Sequence, residues 1–376
     1  MKPIFFIATF NAFFFTVLLL QKKPRKKHDN ILASWLIYLG LFIGIYAFYS
    51  HNLFTQFHLL SVSFISLFYL HGILLYFYVF SLVSLRKKFQ KNNLFHLIPF
   101  LLFNLYLFII SFFPDYTKEV SINQVHSNSS VPFLFIFFLI ITILSGPLYF
   151  ILSIRLFKKL DINIFNNFSS DEEINLIWLR KLVYVFSFIW TALILITVIH
   201  HVFNLFSPVF CTDGLFLALS AFVILIGYYG FKQKVIFSDD SAQDLVTKDD
   251  KEKYAGSKLT KAESLKYIDS LNHTMETTKP YLKPNLTLPE LAAQLSLSTH
   301  YLSQIINENY NLNFFDYINK YRIEEVKKKM QDPDFSNYSL LGIALESGFN
   351  SKSSFNRIFK KFTGQTPSEF KESITL

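Results

Sequence analysis

Seven stretches of mostly apolar residues, about twenty positions each, occupy the first 237 positions of this 376-residue chain. They are Ile4–Leu20, Ile31–Ser50, His58–Leu85, Leu94–Phe113, Pro132–Ile154, Leu182–Phe206 and Gly214–Phe231. Inside lipid no water is at hand to bond backbone N–H and C=O groups. A spanning segment therefore closes its own hydrogen bonds as a helix of roughly 20 residues. The pattern predicts an all-α region of seven membrane-spanning helices over residues 1–237. The third run is long enough to tilt or to begin later. The first run reads as a retained span, not a cleaved leader. Only Lys2 precedes it, no small-residue cleavage site follows, and Lys22-Lys23-Pro24-Arg25-Lys26-Lys27 flanks it.

Loop charge sets the expected orientation. Sixteen Lys and Arg fall in residues 21–30, 85–93, 155–181 and 232–234, against Lys2 and Lys118 on the other side. Basic loops stay in the cytoplasm, so the N-terminus is expected outside and everything after residue 231 inside. The longest outer loop, Pro114–Val131, leaves no room for an extracellular binding domain. A sensed ligand would have to reach the helices or their outer rim, or be a lipid or a partner protein. Polar residues within or near the runs are Asn11, His58, His71, Asn104, His200, His201, Asn204 and Asp213. Such groups either mark a site or glue helices to one another. His200 and His201 are adjacent, about 100° apart around a helix, and make a poor metal pair. Gly146-Pro147 predicts a kink in the fifth run.

Composition changes sharply after Phe237. Of 46 Phe, 38 precede residue 238 and 8 follow residue 257. The net charge of +9 divides as +10 over residues 1–237, −3 over 238–257 and +2 over 258–376. The basic balance thus belongs to the membrane half and says nothing about nucleic acid. Residues 238–257, SDDSAQDLVTKDDKEKYAGS, read as an acidic, flexible linker. As random coil it would reach roughly 25 Å; a helical extension of the last span is the alternative. The single cysteine, Cys211, excludes an internal disulfide. No H-E-x-x-H motif, nucleophile constellation or intramembrane acid pair occurs, so the chain is not expected to be an enzyme or to hold a cofactor or metal.

Residues 258–376 carry a different pattern. Leu265, Ile268, Leu271 and Met275 have helical spacing and predict a leading amphipathic helix over Leu259–Met275. Thr287-Leu288-Pro289-Glu290 is a capping box that opens a helix with Leu291, Ala292 and Leu295 inward. Ser296-Leu297-Ser298 is a turn, and Ser298 caps Thr299–Asn309, with Leu302, Ile305 and Ile306 inward and His300, Ser303, Gln304 and Asn307 outward. Phe314–Met330 reads as one helix of about 25 Å. Ile343, Ala344 and Leu345 then lead to Gly348, where a helix should stop in a φ > 0 residue. Asn350 and Ser351 are cap candidates for a helix with Phe355, Ile358, Phe359 and Phe362 on one face and Lys352, Ser353, Asn356, Arg357 and Lys360 on the other. Thr366-Pro367-Ser368-Glu369 starts a last helix. Helix, tight turn and basic, amide-rich helix is the layout of a helix-turn-helix.

The last stretch resembles the C-terminal signature of AraC-type transcription regulators. The matching residues are Ile343-Ala344, Gly348-Phe349, Ser351, Phe355-Asn356-Arg357-Ile358-Phe359-Lys360-Lys361 and Gly364-Gln365-Thr366-Pro367. Leu291-Ala292, Leu295, Leu297-Ser298 and Tyr301-Leu302-Ser303 match the family's first motif, and Phe314, Tyr317-Ile318 and Arg322-Ile323 its linker helix. The resemblance covers about residues 259–372. The chain departs from the pattern at Asn313 and its neighbours, which lack the Gly usual before the Phe, at Val326 in place of Ala, and at Gln304 where Arg is frequent.

The resemblance implies a bacterial regulator with two helix-turn-helix motifs joined by a long helix; the apolar runs and loop charge add a multi-pass protein of the cytoplasmic membrane with its DNA-binding domain in the cytoplasm. Its partners would be double-stranded DNA, entered through the major groove, and the bilayer, with a homodimer or tandem sites raising affinity and an unknown ligand at the membrane region. Lys352, Ser353, Asn356 and Arg357 are the base-edge candidates of the second motif, and His300, Ser303 and Gln304 those of the first. Lys360, Lys361 and the helix start at Thr366-Pro367 are phosphate candidates. Lys327-Lys328-Lys329 reads as a solvated face. The rival class is a membrane transporter or enzyme whose cytoplasmic domain only regulates it.

Overall fold

The computed structural model describes residues 2–49, 63–83 except 65, 91–113, 132–203 except 173, 208–233 and 261–375. The linker 238–257, the loop Pro114–Val131, the start of the third apolar run with His58, Asn204, and the side chains of His200 and His201 lie outside them. The described residues are helical and contain no β-strand; the one bridge pairs Phe168 with Thr287. The chain divides into two compact units, Met1–Phe157 with Leu176–Lys234, and Lys158–Asn175 with Val235–Leu376.

The first unit holds α1 (Lys2–Gln21), α2 (Lys27–Tyr49), α3 (Phe68–Val83), α4 (Ile98–Ile110, after a 3-10 turn at Lys91–Leu97), most of α5 (Phe133–Asn167), α6 (Ile177–Phe203) and α7 (Pro208–Lys232). Each predicted apolar run overlaps one of these helices. Among the described residues five helical segments are long and apolar enough to cross a membrane, in α1, α2, α5, α7 and Asn93–Ile110 (α4 with the 3-10 turn before it), and α3 is shorter. Their outer surface is apolar: Phe48 is 70% exposed, Phe188 75% and Phe133 79%. Such a surface suits lipid and would be costly in water.

Small residues line the contact between α1 and α2. Ala8 and Ala12 of α1 are fully buried. A Cβ added at Gly40 of α2 would lie 3.1 Å from the Ala12 Cβ, and one at Gly44 3.2 Å from the Thr9 methyl. Glycines four apart let two backbones meet closely, where dispersion and not water exclusion holds helices together in lipid. At the ends of α1, α2 and α7 the buried Asp29 accepts from Lys22 Nζ at 2.9 Å and from the Lys26 N–H at 2.8 Å. Lys22 also donates to the Gln233 carbonyl at 3.0 Å, and the Trp178 indole N–H to Gln233 Oε1 at 2.7 Å.

Polar residues described within the apolar helices bond inside the unit. Asn11 donates to the Ile7 carbonyl one turn back. Asn104 donates to the Phe100 carbonyl and accepts from Ser66. The Tyr46 hydroxyl donates to Asp213. His71 is buried, with Nε2 3.4 Å from the Tyr38 hydroxyl. Among the described residues no group of three or more His, Cys, Asp or Glu could hold a metal ion. Pro147 lies inside α5, which runs unbroken from Phe133 to Asn167.

The second unit adds α8 (Lys261–Thr277), α9 (Leu288–Gln294), α10 (Thr299–Tyr310), α11 (Phe314–Gln331), α12 (Leu340–Glu346), α13 (Lys352–Thr363) and α14 (Pro367–Thr375) to the last ten residues of α5. It has two cores. Leu271, Met275, Leu291, Leu302, Ile305 and Ile306 make the first, and Ile343, Ala344, Phe349, Phe355, Ile358 and Phe359 the second. Helix α11 serves both: Phe314, Tyr317 and Ile318 face the first, and Phe315, Ile323 and Val326 the second. Leu265, expected on the inner face of the leading helix, is 63% exposed. Leu271 and Met275 are the fully buried positions of that helix, so its inner face is narrower than its spacing predicts.

Arg322 of α11 is buried between the two cores. Its Nε donates to the Tyr281 carbonyl at 2.8 Å, Nη1 to the Ser169 carbonyl at 2.9 Å, and Nη2 to the carbonyls of Lys283 at 2.7 Å and Pro284 at 3.0 Å and to Ser169 Oγ at 3.0 Å. Burial pushes the guanidinium pKa down to about 9, and this ring of acceptors keeps it charged at neutral pH. Beside it Gly348, at φ +91°, stops α12; a Cβ there would lie 2.3 Å from the Tyr281 carbonyl oxygen. Only glycine fits both the conformation and the contact.

This packing makes three positions sensitive to substitution. Gly40→Leu should lower the melting temperature of the protein in detergent by the equivalent of about 1–3 kcal/mol, and Gly40→Ala by much less. Arg322→Met should cost about 3–5 kcal/mol, because it removes five hydrogen bonds, three of them buried, that tie other segments of the chain to α11. Gly348→Ala should cost at least about 1–2 kcal/mol from its backbone angle alone. Thermal unfolding followed by circular dichroism checks all three.

Candidate nucleic-acid interface

The same local chemistry builds both turns. In the first, Thr287 and Glu290 form a reciprocal capping box that opens α9. The chain then closes with the Leu297 N–H on the Ala292 carbonyl at 2.8 Å, with Ser296 at φ +55°. In the second, Ser339 caps α12, the Phe349 N–H reaches the Ala344 carbonyl at 3.1 Å, and Gly348 takes the positive φ. Ser298 caps α10 by accepting from the Tyr301 N–H, and Ser351 caps α13 by accepting from the Ser354 N–H. Of the two cap candidates before α13, Ser351 is the N-cap; Asn350 instead donates to Ser170 Oγ at 2.9 Å. Each turn thus sets a short helix against a twelve-residue helix about 18 Å long.

Helix α13 presents the predicted two faces. Phe355, Ile358 and Phe359 are buried, while Lys352, Ser353, Asn356, Arg357 and Lys360 are exposed. Spacing of i, i+3 and i+4 on a 3.6-residue period separates the faces and leaves one polar stripe along the helix. Gly364, at φ +78°, ends the helix. In α10, His300 and Asn307 are exposed, whereas Ser303 and Gln304 are half-buried. Gln304 donates to Glu308 at 2.9 Å, and Asn307 to Ser303 Oγ at 3.4 Å. The first motif therefore presents fewer unengaged donors than the second.

Several basic candidates have acidic partners. Lys361 lies 2.6 Å from Asp316 of α11. Arg357 Nη2 donates to both carboxylate oxygens of Asp171 at 2.9 Å each. Lys327 pairs with Glu324, and Lys329, whose side chain is 13% exposed, donates to the Glu346 carbonyl; only Lys328 of the three is exposed, so the run is less solvated than expected. At the start of α14 the Thr366 N–H donates to Glu369 at 2.7 Å, which holds that carboxyl below the usual carboxylate range. An anion already sits at that helix start, which opposes a phosphate there. Sequence reasoning missed Asp171 and Ser169 altogether. Neither belongs to a motif, and both lie well over a hundred residues from the side chains they meet.

Comparison with known proteins agrees with this geometry. A family described as a helix-turn-helix domain matches residues 291–373. An uncharacterised HTH-type transcriptional regulator of Staphylococcus aureus strain COL is 32% identical over 103 residues, which make up 27% of this chain and 13% of that protein. Its counterpart in strain MSSA476 has the same identity and coverage. The chain thus spans about an eighth of the length of these staphylococcal relatives. A Proteus vulgaris protein named "Probable transcription factor PqrA" is 33% identical over 91 residues, 24% of this chain and 72% of PqrA. No solved structure matches the chain significantly. With PqrA 33% identical and matched over most of its length, the chain belongs to the AraC-type helix-turn-helix family of transcriptional regulators.

Proposed function

We propose that the chain is a membrane-bound regulator of transcription, not an enzyme, and that it reads double-stranded DNA through α10 and α13. The observation that carries this reading is the exposed stripe of α13. Lys352, Ser353, Asn356 and Arg357 form a row of donors and acceptors on a helix whose other face is fixed in a core. An α-helix fits the major groove, where Arg pairs with guanine and Asn with adenine. Helix α11 packs into both cores, so the two reading helices are held by one element and address two successive grooves on one DNA face. Lys360 contacts phosphate, and His300, Ser303 and Gln304 contribute from the first motif. A domain charge of only +2 gives modest non-specific affinity, so two copies or tandem sites are needed for tight occupancy.

The membrane region, in this reading, spans the bilayer seven times with the N-terminus outside, and residues 238–257 tether the reading domain within a few nanometres of the membrane. It anchors the protein and senses a ligand or lipid. Support for sensing comes from α5, which starts among the apolar helices and supplies its last ten residues to the second unit.

Full-length protein in detergent micelles should enrich a limited set of fragments from sheared genomic DNA. Arg357→Ala should weaken binding to those fragments by about 1–3 kcal/mol. Lys360→Ala should lower the slope of log K against log salt by about one. Equal capture of all fragments, unchanged by Arg357→Ala, would contradict the reading. Topology is checked by periplasm-dependent reporters. A fusion in Pro114–Val131 should be active and one after Lys234 inactive, and the reverse pattern would refute the orientation.

A further inference from the structure

The segment that follows α5 does more than connect two helices. Its stem is built into the second unit. Phe165 meets Phe315 edge-on at 5.3 Å, Phe168 bridges to Thr287, and the Ser169 N–H donates to the Leu286 carbonyl at 3.0 Å. Ser169 is 1% exposed, and its carbonyl accepts from Arg322 and from Asn319 Nδ2 at 3.1 Å. Its tip, two residues further on, lies against the reading helix of the second motif. Ser170 accepts from Asn350, just before the N-cap of α13, and Asp171 takes Arg357.

The tip and the stem differ in what holds them. The stem is buried and satisfies a buried guanidinium. The tip pair is at the rim, with side-chain exposure of 51% for Arg357 and 18% for Asp171. A carboxylate offers Arg357 two acceptor oxygens side by side, much as guanine offers O6 and N7. The two cannot occupy the same Nη2 donor together. An exposed ion pair is weak enough to open without unfolding its surroundings.

Resting on the reading of α13 as the DNA-reading helix, we infer that residues 170–171 form an autoinhibitory latch, in which Asp171 occupies Arg357 in place of DNA and must be released before α13 engages its site. The stem stays docked while the tip opens. Because the latch follows directly on α5, a change along that helix biases the tip between its two partners. The apparent affinity for DNA is then lowered by the fraction of molecules with the latch closed.

The test uses full-length protein in detergent micelles and, as a fluorescent duplex, the genomic fragment it enriches most, at fixed salt. Asp171→Ala and the isosteric Asp171→Asn should each tighten binding by about five-fold, the scale of one exposed ion pair. In an Arg357→Ala background the same changes should leave binding unaltered, since the coupling between the two positions is gone. Equal tightening in both backgrounds would show only the removal of a negative charge near DNA, and overturns the latch. No tightening with binding still weakened by Arg357→Ala overturns the latch and leaves the DNA reading intact. If no fragment is enriched, or Arg357→Ala changes nothing in either background, the reading of α13 fails and the latch fails with it.

Discussion

A buried guanidinium holds the second unit together. Arg322 lies where the two helix-turn-helix cores meet, and every hydrogen bond from its side chain to the main chain ends on a carbonyl that α11 itself does not supply. Tyr281, Lys283 and Pro284 come from the connection ahead of α9, and Ser169 comes from the end of α5. An unpaired buried charge costs several kcal/mol, so these strands of chain are held where the guanidinium needs them. Gly348 completes the arrangement. Its missing Cβ lets the second turn lie against the Tyr281 carbonyl, beside the Arg322 Nε. The relation of one motif to the other thus depends on one side chain and one absent side chain.

This arrangement gives the chain's composition a physical meaning. The apolar helices carry their phenylalanines outward as well as inward, as lipid permits and water does not. The C-terminal cores are small, and helix caps and ion pairs do much of the local ordering. Four serines and threonines at helix starts, Thr287, Ser298, Ser339 and Ser351, each accept from a backbone N–H three residues on. Such caps are worth about 1 kcal/mol each and fix where each helix begins. They thereby fix which side of α10 and of α13 faces outward.

Much of this was legible in the sequence because it is local. Capping residues, the glycine at the α12 stop and the i, i+3, i+4 rows of Phe355, Ile358 and Phe359 all act within a few positions. The apolar runs were legible for the same reason, since length and hydropathy alone force a helix in lipid. Leu265 shows where local pattern fails: its spacing fits the inner face, yet it is exposed while Leu271 and Met275 further along α8 are buried. The Gly40 and Gly44 contacts and the pairings of Ser169 and Asp171 were not legible. They depend on which segments meet, and neither a periodicity nor a motif records that. The candidate site was found from the α13 stripe, while its occupation by Asp171 came only with the fold.

In the proposed reading, α10 and α13, held on α11, enter two successive major grooves. Methylation protection of guanine N7 on a bound genomic fragment tests it most directly. The account predicts two protected clusters one helical turn apart, about 34 Å, on the same face of the duplex. Arg357→Ala should remove protection from one cluster and leave the other. Protection confined to a single groove, or none at guanine N7 while the fragment remains bound, would contradict it.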